Sequence, residues 1–355
     1  MVWSGAVNYT AIVQAPISSP PNKRFALAPF LHDPLVFGTL CGLASSLGYT
    51  VATACLRAVS ECDVVWVSCV KAFPTVVMFG PVLLYGLRRG KETLPSARQM
   101  TALVIASLIC QLLGNVVFQW SLGIVGMAMA VPLTLGTQIV AGAIMGRIAL
   151  NEPVTVRMAI STTVLIGAIS VLSLGAGEAS RSVAVVQQAT SAWLIVAGVG
   201  AACLSGVAYA LLGVVIRYAV TDRMSIPLTL VSVTLTGVIA LGAVTVMRIG
   251  VSGMLATLPL DFWTMMLAGF FNAVAFLALT KSLQLIPLLY VNALSSSQAA
   301  MAAVVGILIF AERSSSTLWL GIAMTIVGLL MMQRRSTRRS LATEMEGGRD
   351  RRTRH

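Results

Sequence analysis

Ten long apolar runs dominate the sequence, and each is close to the length that a helix needs to cross a membrane. The hydrocarbon core of a bilayer requires about 20 apolar residues in helical form. The runs cover residues 35–56, 64–87, 101–121, 124–146, 154–174, 192–216, 226–247, 262–280, 286–310 and 317–333. Only 10% of the residues are charged, whereas a soluble domain has about 25%. The pattern predicts an all-α polytopic membrane protein with ten transmembrane helices in the lipid bilayer.

The basic residues indicate topology rather than a nucleic-acid partner. The formal net charge is +12, but eight of the 24 basic residues lie in the tail 334–355, and no basic, aromatic-rich surface runs through the apolar body. Cytoplasmic loops retain Lys and Arg. With both termini in the cytoplasm, 19 basic residues lie inside and four outside, and Lys71 lies within a span. The sequence therefore predicts a multi-pass protein of the cell (inner) membrane with both termini cytoplasmic, and no nucleic acid partner.

Residue types that usually build catalytic or metal sites are scarce. The two histidines, His32 and His355, lie near the ends of the chain, and the six cysteines form no CxxC pair. The sequence contains no GxSxG motif, no phosphate-binding loop with the required spacing and no acidic residue deep in an apolar run. We therefore expect no cofactor, no metal site and no ATP-driven machinery, and we predict that the protein is not an enzyme.

An internal repeat with an offset of 160 residues extends from the first span to the tenth. Rare residue types carry it, because matches between leucines mean little in so apolar a chain. The matched pairs include Gly38 and Gly198, Ser45 and Ser205, Tyr49 and Tyr209, Arg88 and Arg248, Gly90 and Gly250, Gln138 and Gln298, and Glu152 and Glu312. The third spans need one residue of slip, which pairs Ser121 with Ser282.

Each repeat contains five spans, an odd number, so the second repeat must enter the membrane upside down. Such inverted repeats are the architecture of secondary transporters, whose two halves rock about a site near the midplane. The predicted organisation is a cytoplasmic N-terminal stub, a first five-helix repeat, a connecting loop, a second five-helix repeat and a basic cytoplasmic tail. These segments cover residues 1–34, 35–174, 175–191, 192–333 and 334–355.

The ends of the two fourth spans resemble a known family. Residues 146–153 read GRIALNEP and residues 306–313 read GILIFAER, and each segment precedes a helix that contains glycine. With ten spans and the repeat, this pattern resembles the EamA domain of the drug/metabolite transporter superfamily, over roughly residues 35–333. The resemblance implies export or exchange of small metabolites, amino acids or drugs through a central cavity lined by the first four helices of each repeat. Members often have arginine in the second helix, where this chain has Lys71.

Lys71 is the one charged residue well inside a predicted span. A lysine near the bilayer centre costs about 2.5–3.5 kcal/mol on insertion scales, so it should face a wet cavity or a partner. It is either an electrostatic anchor for a carboxylate or phosphate on the substrate, or a structural lysine that snorkels or binds carbonyls at a helix end.

Amide and tyrosine side chains complete the predicted substrate site. Gln111, Asn115 and Gln119 recur every four residues and are therefore predicted to lie along one helical stripe, where they bind either neighbouring helices or a ligand. The matched glutamines and tyrosines lie at equivalent depths in the two repeats, although packed tyrosines are equally compatible with the pattern. The predicted substrate-binding set is Lys71, Tyr49, Asn115, Gln119, Gln138, Tyr209, Asn292 and Gln298.

Glu152 and Glu312 are candidates for proton coupling, but both stand at a predicted helix start, where the helix dipole stabilises a carboxylate. Small residues spaced along the fifth and tenth spans are compatible with close packing or with a homodimer contact.

The leading hypothesis is a secondary active or facilitative carrier that moves a small organic metabolite by alternating access, with export as the expected direction. The alternative is a membrane-embedded enzyme that acts on a lipid-linked substrate, and a scaffold or sensor without transport activity is a third option.

Overall fold

A computed structural model of the chain describes residues 33–90, 95–150, 192–221, 224–310 and 316–333, together with separate helical residues between 156 and 171. The described residues contain no β-strand. The helices are α1 (Pro34–Ala58), α2 (Val64–Arg88), α3 (Ala97–Ile109), a π-helical segment (Cys110–Val116), α4 (Val117–Val125), α5 (Met127–Leu150), α6 (Ala192–Thr221), α7 (Ile226–Leu255), α8 (Pro259–Leu285), α9 (Leu288–Ser295), α10 (Ser297–Phe310) and α11 (Ser316–Gln333).

Eight helices in the described residues are long and apolar enough to cross a bilayer. They correspond to the first four predicted spans and to the sixth to ninth, so the prediction of an all-helical, multi-pass membrane protein is confirmed. The tenth predicted span coincides with α11, and the fifth is described only at separate helical residues. The count of ten therefore stays a prediction. The predicted stub, connecting loop and basic tail lie almost wholly outside the described residues.

Polar side chains fix where the helices begin. Asp33 accepts a hydrogen bond from the Leu35 amide, and the Asp63 carboxylate accepts from the amides of Val65 and Trp66. Ser96 and Gln99 form a reciprocal capping box at the start of α3. Asp63 and Asp33 thus hold their charges at helix starts, where the helix dipole favours them.

The predicted third span is not a regular helix. Its middle, Cys110–Val116, is π-helical, and Gly126 then separates α4 from α5 with φ +76°, a conformation that favours glycine. A π turn holds more residues than an α turn, so side chains that follow it are rotated away from the α-helical register.

The predicted ninth span, 286–310, is also interrupted. Its helices α9 and α10 meet at Ser296, whose hydroxyl donates to the Ala293 carbonyl, while the Ser297 hydroxyl donates to the Leu294 carbonyl. Serine side chains that bind nearby carbonyls compete with the helical hydrogen bonds. The run of three serines therefore marks a break that apolar length alone did not predict.

The helices of one half pack mainly on helices of the other half. Helix α1 packs on α8, and α6 packs on α3, the π-helical segment and α4. Helix α5 packs on α6, α9 and α10 pack on α1, and α2 lies against α7. Each of the two larger buried apolar clusters contains residues from both halves, with Leu56 and Met265 in one and Leu103 and Leu212 in the other. This packing encloses a central cavity between the halves.

Candidate functional site

The central cavity has a volume of about 160 Å³ and is lined by residues from both halves of the chain. Seven of the eight predicted site residues line it, namely Lys71, Tyr49, Asn115, Gln138, Tyr209, Asn292 and Gln298. The structure thus brings together side chains that are up to 249 residues apart in sequence, between Tyr49 and Gln298.

Lys71 contributes the one charged side chain among the described residues that line this cavity. Its side chain is only 6% exposed, and its ammonium donates a hydrogen bond of 2.7 Å to Asn115 Oδ1. The partner is a neutral amide, so the described residues leave the charge of a protonated Lys71 uncompensated. A buried charge without an opposite charge is costly, which makes this position the strongest electrostatic feature of the cavity.

The Asn115 amide is the centre of a hydrogen-bond network. Its oxygen accepts from Lys71 and also from the Tyr209 hydroxyl, at 2.9 Å. Its nitrogen donates to Gln111 Oε1 at 2.7 Å, and Gln111 Nε2 donates to the Val233 carbonyl at 3.3 Å. An amide oxygen has two lone pairs, so both acceptor positions of Asn115 are used. The network thereby fixes the position of the ammonium through α2, the π-helical segment and α6.

A second group of amides comes from α5, α9 and α10. Gln138 Nε2 donates to Asn292 Oδ1 at 3.5 Å, a long hydrogen bond. Asn292 is 3% exposed, and its amide nitrogen has no hydrogen-bond partner among the described residues. That nitrogen lies against Gly142, at a position that any side chain on residue 142 would occupy. The glycine therefore allows α9 to place an amide beside α5.

Gln119 is the predicted site residue that does not line the cavity. It is buried, and its Nε2 donates at 3.1 Å to the Leu56 carbonyl of α1. The prediction placed the three residues on one helical stripe, whereas Gln111 and Asn115 lie in the π-helical segment and Gln119 lies beyond it in α4. Gln119 therefore joins two helices, which is the structural role that the sequence left open for this stripe.

Several polar lining residues lie outside the predicted set. They are Thr53, Cys110, Gln111, Thr134, Thr234 and Asn272. A signal for two of them exists in the sequence, because the one-residue slip that pairs Ser121 with Ser282 also pairs Gln111 with Asn272. Thr53 and Thr234 gave no such signal, since a threonine in a membrane helix usually donates to its own backbone, as Thr53 does to Tyr49.

The remaining candidates are less informative. Glu152 and Glu312 lie outside the described residues, so neither role proposed for them is tested. Within the part of the chain that the structure describes, no three His, Cys, Asp or Glu side chains form a cluster that could hold a metal ion.

In the comparison with known proteins, the second half of the chain matches a protein family. The model of the EamA-like transporter family matches residues 196–334. Among solved structures, 28 chains are similar to this one. One crystal structure of a protein has 15% sequence identity and a TM-score of 0.63, and the alignment covers 85% of this chain and 98% of that chain. At that identity the likeness shows the fold alone.

No curated protein matches the sequence. The resemblance predicted from the sequence is confirmed over the second half of the chain, where residues 196–334 match the EamA-like transporter family, whose members are membrane transporters rather than enzymes.

Proposed function

We propose that the protein is a secondary active or facilitative carrier that moves a small organic metabolite through the central cavity by alternating access. The observation that carries this proposal is the cavity itself, which lies between the two halves and has matched residues from both in its lining. Tyr49 and Tyr209 form one such pair, and Gln138 and Gln298 form another. A site at the interface between two repeats is where a carrier exposes its solute to either side in turn.

The inverted repeat is part of the proposal, and local geometry supports it. The matched glycines Gly90 and Gly250 have φ values of +63° and +67°, and each follows its matched arginine by two residues. The packing of the halves is reciprocal as well, since α1 lies on α8 and α6 lies on α3 and α4. Both observations fit two five-helix units of opposite orientation.

The orientation and boundaries are proposed as the sequence predicts them. Both termini face the cytoplasm of the cell (inner) membrane, and repeats of residues 35–174 and 192–333 are joined by the loop 175–191. Export is the proposed direction, as the family resemblance implies, and a homodimer through the fifth and tenth spans is compatible with their small residues.

The enzyme alternative has little support in the described residues. Cys62, in the loop between α1 and α2, is a thiol beside a carboxylate, with its Sγ 3.9 Å from Asp261 Oδ2. Burial and the nearby Asp261 carboxylate raise the pKa of this thiol, so its thiolate fraction is reduced. Activated nucleophiles require the opposite shift. The repeat also has no explanation in an enzyme that acts on one lipid-linked substrate.

Uptake by purified protein in liposomes tests the proposal. We expect at least one solute from a panel of amino acids, organic acids, nucleosides, sugar phosphates and cationic drugs to enter proteoliposomes faster than protein-free liposomes, without ATP. Equal entry into both kinds of liposome for every solute, together with chemical turnover of a lipid substrate, would favour the enzyme instead.

A further inference from the structure

We propose that the transported solute is a small organic monoanion, whose single carboxylate binds Lys71 while an apolar body fills the rest of the cavity. This inference rests on the proposed function and names the solute class for the same site. It follows from three properties of the cavity, namely its hydrogen-bond donors, its charge and its apolar surface.

The hydrogen-bonding groups around Lys71 leave donors for a solute. An ammonium has three N–H donors, and Asn115 is the one hydrogen-bond partner that the described residues offer Lys71. The oxygen of Asn115 already accepts from Lys71 and Tyr209, and Gln111 Oε1 accepts from Asn115. Two N–H groups of Lys71 are therefore available in this part of the cavity, and the nearby amide oxygens are already engaged. A solute group that accepts several hydrogen bonds, as a carboxylate does, matches this arrangement.

The charge of the cavity lining favours a solute with a single negative charge. Among the described residues that line the cavity, Lys71 is the one cation, and they include no Asp, Glu or Arg. A solute with one carboxylate neutralises the site, whereas a phosphate monoester would bring a second, uncompensated negative charge into an apolar surrounding. A cationic solute would be repelled by Lys71. A zwitterion would place its ammonium where no lining carboxylate is available.

The remaining surface of the cavity fits an apolar body. The lining includes aromatic and aliphatic side chains from both halves: Phe118, Leu135, Leu212, Phe276 and Leu283. Small-molecule sites are mostly apolar, with a few polar groups that fix orientation. The solute is thus amphipathic, with an anionic head at Lys71 and a hydrocarbon or aromatic body.

Matched pairs of ligands test the solute class on the full-length protein in detergent. Titration calorimetry compares each carboxylate with the amine that has the same body: phenylacetate with phenethylamine, indole-3-acetate with tryptamine, and butyrate with butylamine. Phenylalanine and phenyl phosphate serve as the zwitterion and the dianion. We expect the tightest-binding carboxylate to bind at least about tenfold more tightly than its amine, because a charge-assisted hydrogen bond is lost with the amine. The inference is overturned if no carboxylate binds more tightly than its amine, or if phenylalanine or phenyl phosphate binds as tightly as phenylacetate.

Two variants and one control test whether Lys71 is the group that binds the carboxylate. Lys71→Met removes the charge, and Asn115→Asp supplies a carboxylate at the position that now accepts from Lys71. Each should weaken carboxylate binding at least about tenfold. Lys281→Gln is the matched control, because that lysine lies outside the lining and donates instead to Gln284 Oε1 at 2.8 Å. It should leave the affinity unchanged. Equal affinities in the wild type and in both Lys71→Met and Asn115→Asp would exclude Lys71 as the anion site.

These outcomes are separable from a failure of the proposed function. Uptake of an amine or a zwitterion by proteoliposomes would preserve the carrier and overturn the monoanion. Carboxylate binding that depends on Lys71, without uptake of any solute, would preserve the site and overturn the carrier.

Discussion

Gly269 determines how closely α8 approaches α2 beside Lys71. A Cβ atom at residue 269 would lie 2.7 Å from the Lys71 carbonyl oxygen and 2.7 Å from Pro74 Cγ. Neither a backbone carbonyl nor a proline ring can rotate away, so the close approach requires glycine. The glycine therefore helps to set the position of the α2 segment that carries the cationic side chain.

Gly269→Ala should lower the stability of the protein by about 1–3 kcal/mol, the usual cost of overpacking a well-packed contact. Gly80→Ala in α2 is the control, because a Cβ there would meet no atom within 4 Å and alanine has the higher helix propensity. The measurement is the unfolding midpoint of each purified variant in detergent. Equal midpoints for Gly269→Ala and Gly80→Ala would mean that the contact between α2 and α8 is looser than described.

The sequence could predict those residues of the candidate site whose types are rare in apolar runs. Lys71 stands out because a charge is rare in an apolar run, and the matched pair Gln138 and Gln298 stands out through the repeat. The hydrogen bonds from Lys71 and Tyr209 to one oxygen of Asn115 could not be predicted, since they depend on how three helices pack. The placement of a side chain within a cavity is a tertiary property that sequence spacing alone does not contain.

At the scale of helices, the sequence predicts the length of a span better than it predicts irregularities of the backbone within the span. The spans predicted the helices well because a bilayer crossing demands a long apolar run. The π-helical segment Cys110–Val116 and the break at Ser296 escaped prediction. Both lie inside apolar runs, where hydropathy is insensitive to backbone hydrogen bonding. Gln111 and Asn115 lie in the π segment and line the cavity, whereas Gln119, which lies beyond it in α4, does not.

The start of α2 gives a prediction at this scale. The Asp63 carboxylate accepts hydrogen bonds from two helix amides. It also forms an ion pair with Arg248, whose Nη2 lies 3.1 Å from Asp63 Oδ2. Asp63→Ala should cost about 0.5–2 kcal/mol, because it removes an N-cap. Arg248→Gln should cost at most about 1 kcal/mol, since the arginine side chain is 56% exposed and water screens the pair.

Thermal unfolding of both variants in detergent compares how much the N-cap and the ion pair each contribute to the stability of the protein. The wild type and Asp63→Asn complete the series, because asparagine keeps a capping oxygen but loses the charge. A larger loss of stability for Arg248→Gln than for Asp63→Ala would show that the ion pair, and not the cap, holds this end of α2.

At the scale of the whole molecule, the two halves depend on each other for packing. Helix α1 is covered by α8, and α6 by α3 and α4, so neither half encloses the cavity alone. The offset of 160 residues in the sequence anticipated the contribution of both halves to the site, as the shared lining by Tyr49 and Tyr209 illustrates. The pairing of particular helices across the halves could not be read from the offset, because a repeat does not specify which faces meet.

The proposed ten-span topology predicts the side of both ends of the chain. Reporter fusions placed before Leu35 and after Met332 should both be cytoplasmic, because the basic residues favour that side. Green fluorescent protein and alkaline phosphatase fusions measure this, as the first is fluorescent in the cytoplasm and the second is active outside it. A C-terminal phosphatase fusion with high activity would contradict the even number of spans.

Counterflow in proteoliposomes tests the central claim, a carrier with one alternately exposed site, most directly. Vesicles are loaded with the unlabelled solute that the uptake panel identifies and are then diluted into a trace of the labelled solute. We predict a transient accumulation of label above its equilibrium level with the wild type, a much smaller one with Lys71→Met, and none in protein-free vesicles. Label that only equilibrates in wild-type vesicles, at a rate unaffected by the internal solute, would contradict alternating access.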